Sequence, residues 1–163
     1  MVIAFACDHG GFPLKERVLA SVRAQGATVL DLGTNSAAPV DYPDYAAALG
    51  QAVLDGRAER GVLVCGSGVG ACVAVNKMPG IRAGLCHDCF SARQGVEDDD
   101  CNVLCLGARV IGPELAADLV AIWMQARFSG AERHRRRLEK VRRLEEQYLE
   151  KGPHHGESTA TLA

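Results

Sequence analysis

The stretch Gly61-Val62-Leu63-Val64-Cys65-Gly66-Ser67-Gly68-Val69-Gly70 decides the fold. Its first half is an apolar run that does not alternate with polar residues, the mark of a strand buried on both faces. A glycine-rich turn follows, and then a stretch able to form a helix. Four further runs share the length and character of the first half, at 2–6, 28–32, 82–86 and 102–106. Apolar residues recur at three-to-four spacing between several of them, as in Leu14, Val18, Leu19 and Val22, or Tyr45, Leu49 and Val53, or Leu115, Leu119, Ile122 and Trp123. Strand and helix alternate along the chain, so an α/β fold with five parallel strands in one sheet is predicted.

The turn residues agree with that plan. Gly10-Gly11 follows the first run, and Pro13 stands where a helix can begin. Gly26 is a stop for the first helix. Pro79-Gly80 is expected to end the helix before the fourth strand, and Gly112-Pro113 to open the helix that contains Trp123. After Gly130 the composition changes. Residues 131–151 are highly charged, with Leu138, Val141, Leu144 and Leu149 as an apolar stripe. They are read as one long amphipathic helix, placed either at a subunit interface or against its own domain. Residues 1–151 are therefore taken as one domain and 152–163 as a disordered tail, with His154-His155 belonging to the tail's composition.

Composition narrows the function classes. The chain has 163 residues, 48% hydrophobic and 23% charged, enough to bury a core. A net charge of −2 gives no basic excess for nucleic acid, so any anion site must be local. No apolar run approaches the ~20 residues of a membrane span. Met1 leads straight into apolar residues with no charged segment before them, so no secretory signal is expected. Seven cysteines, an odd number lying mostly in apolar runs, fit a reducing compartment, and the cytoplasm is the expected location.

In an open parallel sheet, ligands bind at the carboxyl ends of the strands. The first strand ends in Cys7-Asp8-His9-Gly10-Gly11. Its glycines let the backbone approach a ligand closely. Asp8 is suited to sugar hydroxyls, or simply to capping the next helix, and His9 to a phosphate. The third strand ends in the Cys65 turn. A glycine-rich turn into a helix start offers unpaired N–H groups and the positive end of a dipole, a cup for phosphate or a developing oxyanion. Cys65 at its rim is placed to act as a thiolate base or nucleophile, and Ser67 to bond the thiol or a substrate oxygen. A structural glycine turn beside a buried cysteine fits the same residues. The fifth strand is preceded by Glu97-Asp98-Asp99-Asp100, read as a solvated turn, a metal site or substrate contacts. The same strand leads into Gly107-Ala108-Arg109. Arg133 and Arg137 share one helix face at i and i+4, in a geometry that fits phosphate or an ordinary charged surface. Cys86-His87-Asp88-Cys89 has the spacing of redox and zinc motifs, but no second pair stands at zinc-finger spacing, and Cys86 closes a strand. Cys72, Cys101 and Cys105 read as small core residues.

Taken in order, six blocks resemble one family. They are Cys7-Asp8-His9-Gly10-Gly11, Asp41-Tyr42-Pro43, Cys65-Gly66-Ser67-Gly68-Val69-Gly70, Asn76-Lys77-Met78-Pro79-Gly80-Ile81-Arg82-Ala83, Asn102-Val103-Leu104 and Gly107-Ala108-Arg109-Val110-Ile111-Gly112. The set resembles ribose-5-phosphate isomerase B, whose wider family includes the galactose-6-phosphate isomerase subunits. The resemblance spans roughly residues 2–150. It implies a Rossmann-like three-layer fold, a homodimer or homotetramer with active sites shared between subunits, and no metal or organic cofactor. It implies that Cys65 is the base that shuttles a proton between C1 and C2 of a sugar phosphate, supported by Ser67. The N–H groups of Gly66, Gly68, Val69, Gly70 and Ala71 match the anion hole. Some members carry a Glu base where this chain has Ala71, so the chain resembles the cysteine type. Asp8 and Tyr42 match sugar-side contacts, while His9, Arg133 and Arg137 match phosphate contacts. Arg109 matches a further arginine near the site.

One position departs from the pattern. Relatives carry a ring-opening His followed by Asn or Asp shortly before Asn102-Val103-Leu104. Asp98 and Asp99 stand there instead. Asp98 opens a furanose ring only if it holds a proton. The alternatives are an isomerase for a different sugar phosphate, of four or six carbons, or a catalytically weak sugar-phosphate-binding protein.

Overall fold

All five apolar runs become strands. The computed structural model describes residues 1–150; the expected tail and its His154-His155 pair lie outside them. The strands are β1 (Val2–Cys7), β2 (Thr28–Asp31), β3 (Arg60–Cys65), β4 (Ala83–Leu85) and β5 (Val103–Gly107). They pair in parallel in the order β2-β1-β3-β5-β4. The helices are α1 (Lys15–Ala24), α2 (Tyr42–Leu54), α3 (Val69–Val75), α4 (Cys89–Asp99), α5 (Pro113–Gln125) and α6 (Glu132–Glu150), with a 3-10 turn at Phe12–Leu14. The chain leaves β1 for β2 on one side, then returns to β3 on the other. The switch point of the sheet therefore lies between the carboxyl ends of β1 and β3, where α/β sheets open a crevice.

The central strands β1, β3 and β5 are buried on both faces, which explains why they do not alternate, while the edge strands β2 and β4 are partly exposed. Ile3, Phe5 and Cys7 of β1 face a core built with α1, α4 and α5, including Val18, Val22, Val96, Leu119 and Trp123. Ala4 and Ala6 face the other core with Leu49, Ala71 and Val75 of α2 and α3. Alanine on this face lets α2 come close. A Cβ on Gly61 would lie 2.6 Å from Leu49 Cδ2.

The acidic run after Arg93 behaves differently from a solvated turn. Glu97, Asp98 and Asp99 are the last residues of α4, and only Asp100 leaves it, at φ 49°. Carboxylates at a helix C-terminus oppose its dipole. Arg82 offsets that cost. Its guanidinium donates to the carbonyls of Asp99 (3.2 Å) and Asp100 (2.7 and 3.0 Å) and pairs with the Asp100 carboxylate at 2.7 Å. The Asp88 carboxylate caps the other end, accepting from Ser91 N–H at 2.8 Å. Likewise, α3 stops at Val75, ahead of Pro79-Gly80.

Residues 1–130 form one compact unit, and the described residues from Ala131 onward belong to a second. Within the second, Arg142 pairs with Glu139 and Glu146, and Arg143 with Glu139. Val141, Leu144, Tyr148 and Leu149 of α6 are exposed.

Candidate active site

Two loops meet at the switch point. Gly10, after β1, comes so close to Gly66, after β3, that a Cβ on it would lie 2.9 Å from Gly66 N. Gly11 is tighter still, with its Cβ position 2.1 Å from the carbonyl oxygen of Val64. Asp8 is buried and turns the first loop, since its Oδ1 accepts from Gly11 N–H at 2.8 Å. Its Oδ2 has no partner among the described residues, so one carboxylate oxygen can both cap the turn and leave the other for a ligand. His9 is held at Nδ1 by Val40, accepting from its N–H (3.2 Å) in one tautomer or donating to its C=O (3.1 Å) in the other. Its Nε2 is thereby left for another partner.

Cys65 closes β3 and is buried, with its Sγ accepting from Gly68 N–H at 3.2 Å. Gly68 has φ 81°, a left-handed conformation that glycine adopts without strain and that folds the turn back over the sulfur. Ser67 is exposed, and its Oγ accepts from Val69 N–H at 3.3 Å. Among the described residues, the N–H groups of Gly66, Ser67, Gly70 and Ala71 have no acceptor. Tyr42, at the start of α2, lies over Gly70; a Cβ there would sit 2.9 Å from its ring. Arg109 covers Gly66, with Nε 3.5 Å from that residue's Cβ position. The structure thus brings Asp8, His9, Cys65, the cup from Gly66 to Ala71, Tyr42 and Arg109 to the carboxyl edge of the sheet.

Asp98 and Asp99 are not among them. From Cys89, α4 runs away from that edge for 11 residues, about 16 Å at 1.5 Å per residue. Its end stands at the amino end of β5, and Asp98 is bonded there to Gln94 at 2.8 Å. Arg133 and Arg137 lie on α6, exposed, and neither has a carboxylate partner among the described residues.

Two residues near the site carry roles that their sequence context hid. Lys15 is buried, bonding Asp31, the carbonyl of Thr34 and Asn35 Oδ1, each at 2.9 Å. It ties the loop after β2 to the start of α1. A lysine in the apolar register of Leu14, Val18 and Leu19 was the available signal. His87, read only within the cysteine motif, reaches the end of β5. Its Nε2 accepts from Gly107 N–H at 2.9 Å.

The cysteines differ in reactivity. Burial pushes Cys7 up to about 12, Cys86 to about 11 and Cys101 to about 12. Cys72, only partly buried, is shifted the other way. A hydrogen bond from the Cys105 thiol and another from the Asn76 amide outweigh desolvation and lower it to about 7. Alkylation of Cys72 is expected to rise steeply between pH 6 and 8 and to outpace Cys7, Cys86 and Cys101 at pH 8, as peptide mapping after brief iodoacetamide treatment would read. Equal labelling of all four would contradict the assignment.

Comparison with known proteins fits this geometry. A family model for ribose/galactose isomerases matches residues 3–141. The fold and that match define an aldose–ketose isomerase of sugar phosphates. The chain belongs to the ribose/galactose isomerase family. It is 43% identical over 144 residues to ribose-5-phosphate isomerase B of Escherichia coli, covering 88% of this chain and 96% of that one. It is 41% identical over 130 residues to D-erythrulose-4-phosphate isomerase of Pectobacterium atrosepticum, covering 78% and 85%. The solved structure of ribose-5-phosphate isomerase B from Clostridium thermocellum superposes with a TM-score of 0.88 at 41% identity, covering 91% of this chain and 99% of that one.

Proposed function

We propose that this chain interconverts D-ribose 5-phosphate and D-ribulose 5-phosphate through a cis-enediolate, with Cys65 as the base. The observation that carries the reading is the placement of Cys65 Sγ on the rim of unpaired N–H groups at the switch point. The thiolate takes the proton from C2 of the open-chain aldose. The electron pair of that C–H bond forms the C1=C2 bond, and charge moves onto O1. The peptide groups of the cup stabilise that charge. Ser67 assists the transfer of the hydroxyl proton from O2 to O1. The Cys65 thiol then returns its proton to C1, leaving the carbonyl at C2. Asp8 and Tyr42 hold sugar hydroxyls, and His9, Arg133, Arg137 and Arg109 hold the phosphate. No metal or organic cofactor takes part.

Asp98 and Asp99 serve a site only if it belongs to a second copy, because α4 carries them away from Cys65 of their own chain. The working enzyme is therefore a homodimer or homotetramer with shared sites, and the exposed apolar residues of α6 are available for that assembly. Among the described residues, no helix is long and apolar enough to cross a membrane. A cytoplasmic location follows from the reading as a metabolic enzyme with reduced cysteines.

A second reading takes a substrate that forms no furanose, such as a four-carbon ketose phosphate. The carboxylate at position 98 and the similarity to an erythrulose-phosphate isomerase favour it. The test is turnover of ribose 5-phosphate, erythrose 4-phosphate and allose 6-phosphate, alongside Asp98→His. If ring opening limits the natural chain, Asp98→His raises kcat for ribose 5-phosphate about 10-fold or more and leaves the four-carbon rate unchanged. Equal rates on the five-carbon sugar before and after the change would make Asp98 a competent ring opener. No turnover of any of the three sugars would overturn both readings.

A further inference from the structure

The geometry points to His87 as a positioning residue for the oxyanion cup, acting through main-chain groups and not through substrate. This inference rests on the proposed function, because it assigns a role within that site. At the edge of the sheet, the β4–β5 ladder continues one residue past β4, where Cys86 N–H donates to Cys105 C=O at 3.2 Å. In a parallel ladder the next bond would run from Gly107 N–H to the carbonyl of Cys86. The imidazole of His87 takes that bond instead, accepting at Nε2 from a distance of 2.9 Å. A side chain thus replaces the last rung, and it does so only with Nε2 unprotonated.

Gly107 begins the segment that fixes the cup from behind. Ala108 N–H donates to Cys65 C=O and Arg109 N–H to Gly66 C=O, both at 2.9 Å. In a planar trans peptide the N–H of one residue points opposite to the C=O before it. Pinning the carbonyls of Cys65 and Gly66 therefore aims the N–H groups of Gly66 and Ser67 the other way, into the cup. Gly107 itself fits against the same turn. A Cβ there would lie 2.5 Å from the carbonyl oxygen of Ser67. The bond from His87 holds this segment in register. Asp88, the capping residue of α4, in turn fixes the backbone that carries the imidazole.

The test compares His87→Leu, which has no acceptor, with His87→Gln, whose terminal amide oxygen can reach the place of Nε2. For ribose 5-phosphate, His87→Leu should lower kcat about 10-fold with KM within about twofold, since the donors act chiefly on the developing oxyanion. His87→Gln should recover most of the loss. Amide hydrogen exchange provides the second readout: the Gly107 amide should be protected in the natural chain and in His87→Gln, and exposed in His87→Leu. Unchanged kcat in His87→Leu, or equal losses in both variants, would overturn the positioning role. If the natural chain does not turn over ribose 5-phosphate, the proposed function fails separately. The exchange pattern then still decides whether His87 holds Gly107, and unchanged protection in His87→Leu would overturn it.

Discussion

Replacing Cys65 with alanine is expected to lower kcat for ribose 5-phosphate by about 10²- to 10⁴-fold, the usual contribution of a positioned general base. In the proposed mechanism the sulfur alone exchanges the proton with C1 and C2, while His9 and Asp8 hold the phosphate and a sugar hydroxyl. His9 is held at Nδ1 by Val40, and the Oδ1 of Asp8 caps its own loop. KM should change little, because the groups assigned to phosphate lie elsewhere. The fold should survive, since the change removes one atom from the end of a strand held by its main-chain ladder, and the Gly68 N–H that loses the sulfur as acceptor lies in the turn beyond that strand. A coupled spectrophotometric assay of both variants, with melting curves beside it, reads the result. Activity within threefold of the natural chain would remove Cys65 from the mechanism.

The second large effect concerns stability. Gly11→Ala should lower stability by about 3 kcal/mol and the melting temperature by roughly 6–12 °C. The added carbon would lie 2.1 Å from Val64 O, 2.5 Å from Val64 C and 2.9 Å from Cys65 N. All three are main-chain atoms of β3, so no rotamer change relieves the clash. The first loop must move away from the third, and the crevice between them widens. Catalysis should therefore fall further than the population of folded protein does. Gly112→Ala is the control, since nothing lies within 4 Å of its Cβ position and it opens α5 with φ −81°. Its melting temperature should stay within about 2 °C. Equal melting curves for the two variants would show that the loops tolerate separation.

The three central strands, β1, β3 and β5, were legible because they are buried on both faces; the edge strands β2 and β4 are only partly buried and were legible from apolar runs of the same length. Each of the runs at 2–6, 28–32, 61–65, 82–86 and 102–106 overlaps a strand to within about a residue at either end. Helix α4 was harder to read. Its apolar positions are few, and its acidic C-terminus contradicts helix electrostatics until Arg82, distant in sequence, supplies the cap. The glycine loops were legible as places of close approach, and the structure identifies what each approaches. His87 was hidden for another reason: its partner is a main-chain N–H on a different strand, and sequence spacing carries no trace of such a bond. The distance between Asp98 and Cys65 was hidden likewise. A count along the chain gives the position of a residue but not the end of the sheet at which its helix finishes.

The donors of the cup are peptide groups, which has a consequence for how this enzyme can change over generations. No codon change short of one to proline deletes a backbone N–H. The part of the site that meets the enediolate in the proposed mechanism is thus shielded from most point mutations, apart from those that disturb its bracing. Substrate range has no such shield. In the proposed mechanism it rests on side chains such as Asp8, Tyr42 and Asp98, each replaceable in a single step. On that mechanism a lineage built on this fold can drift from one sugar phosphate to another while its reaction stays fixed, and position 98, where this chain carries Asp in place of the histidine that the family resemblance implies, is one place for such a change.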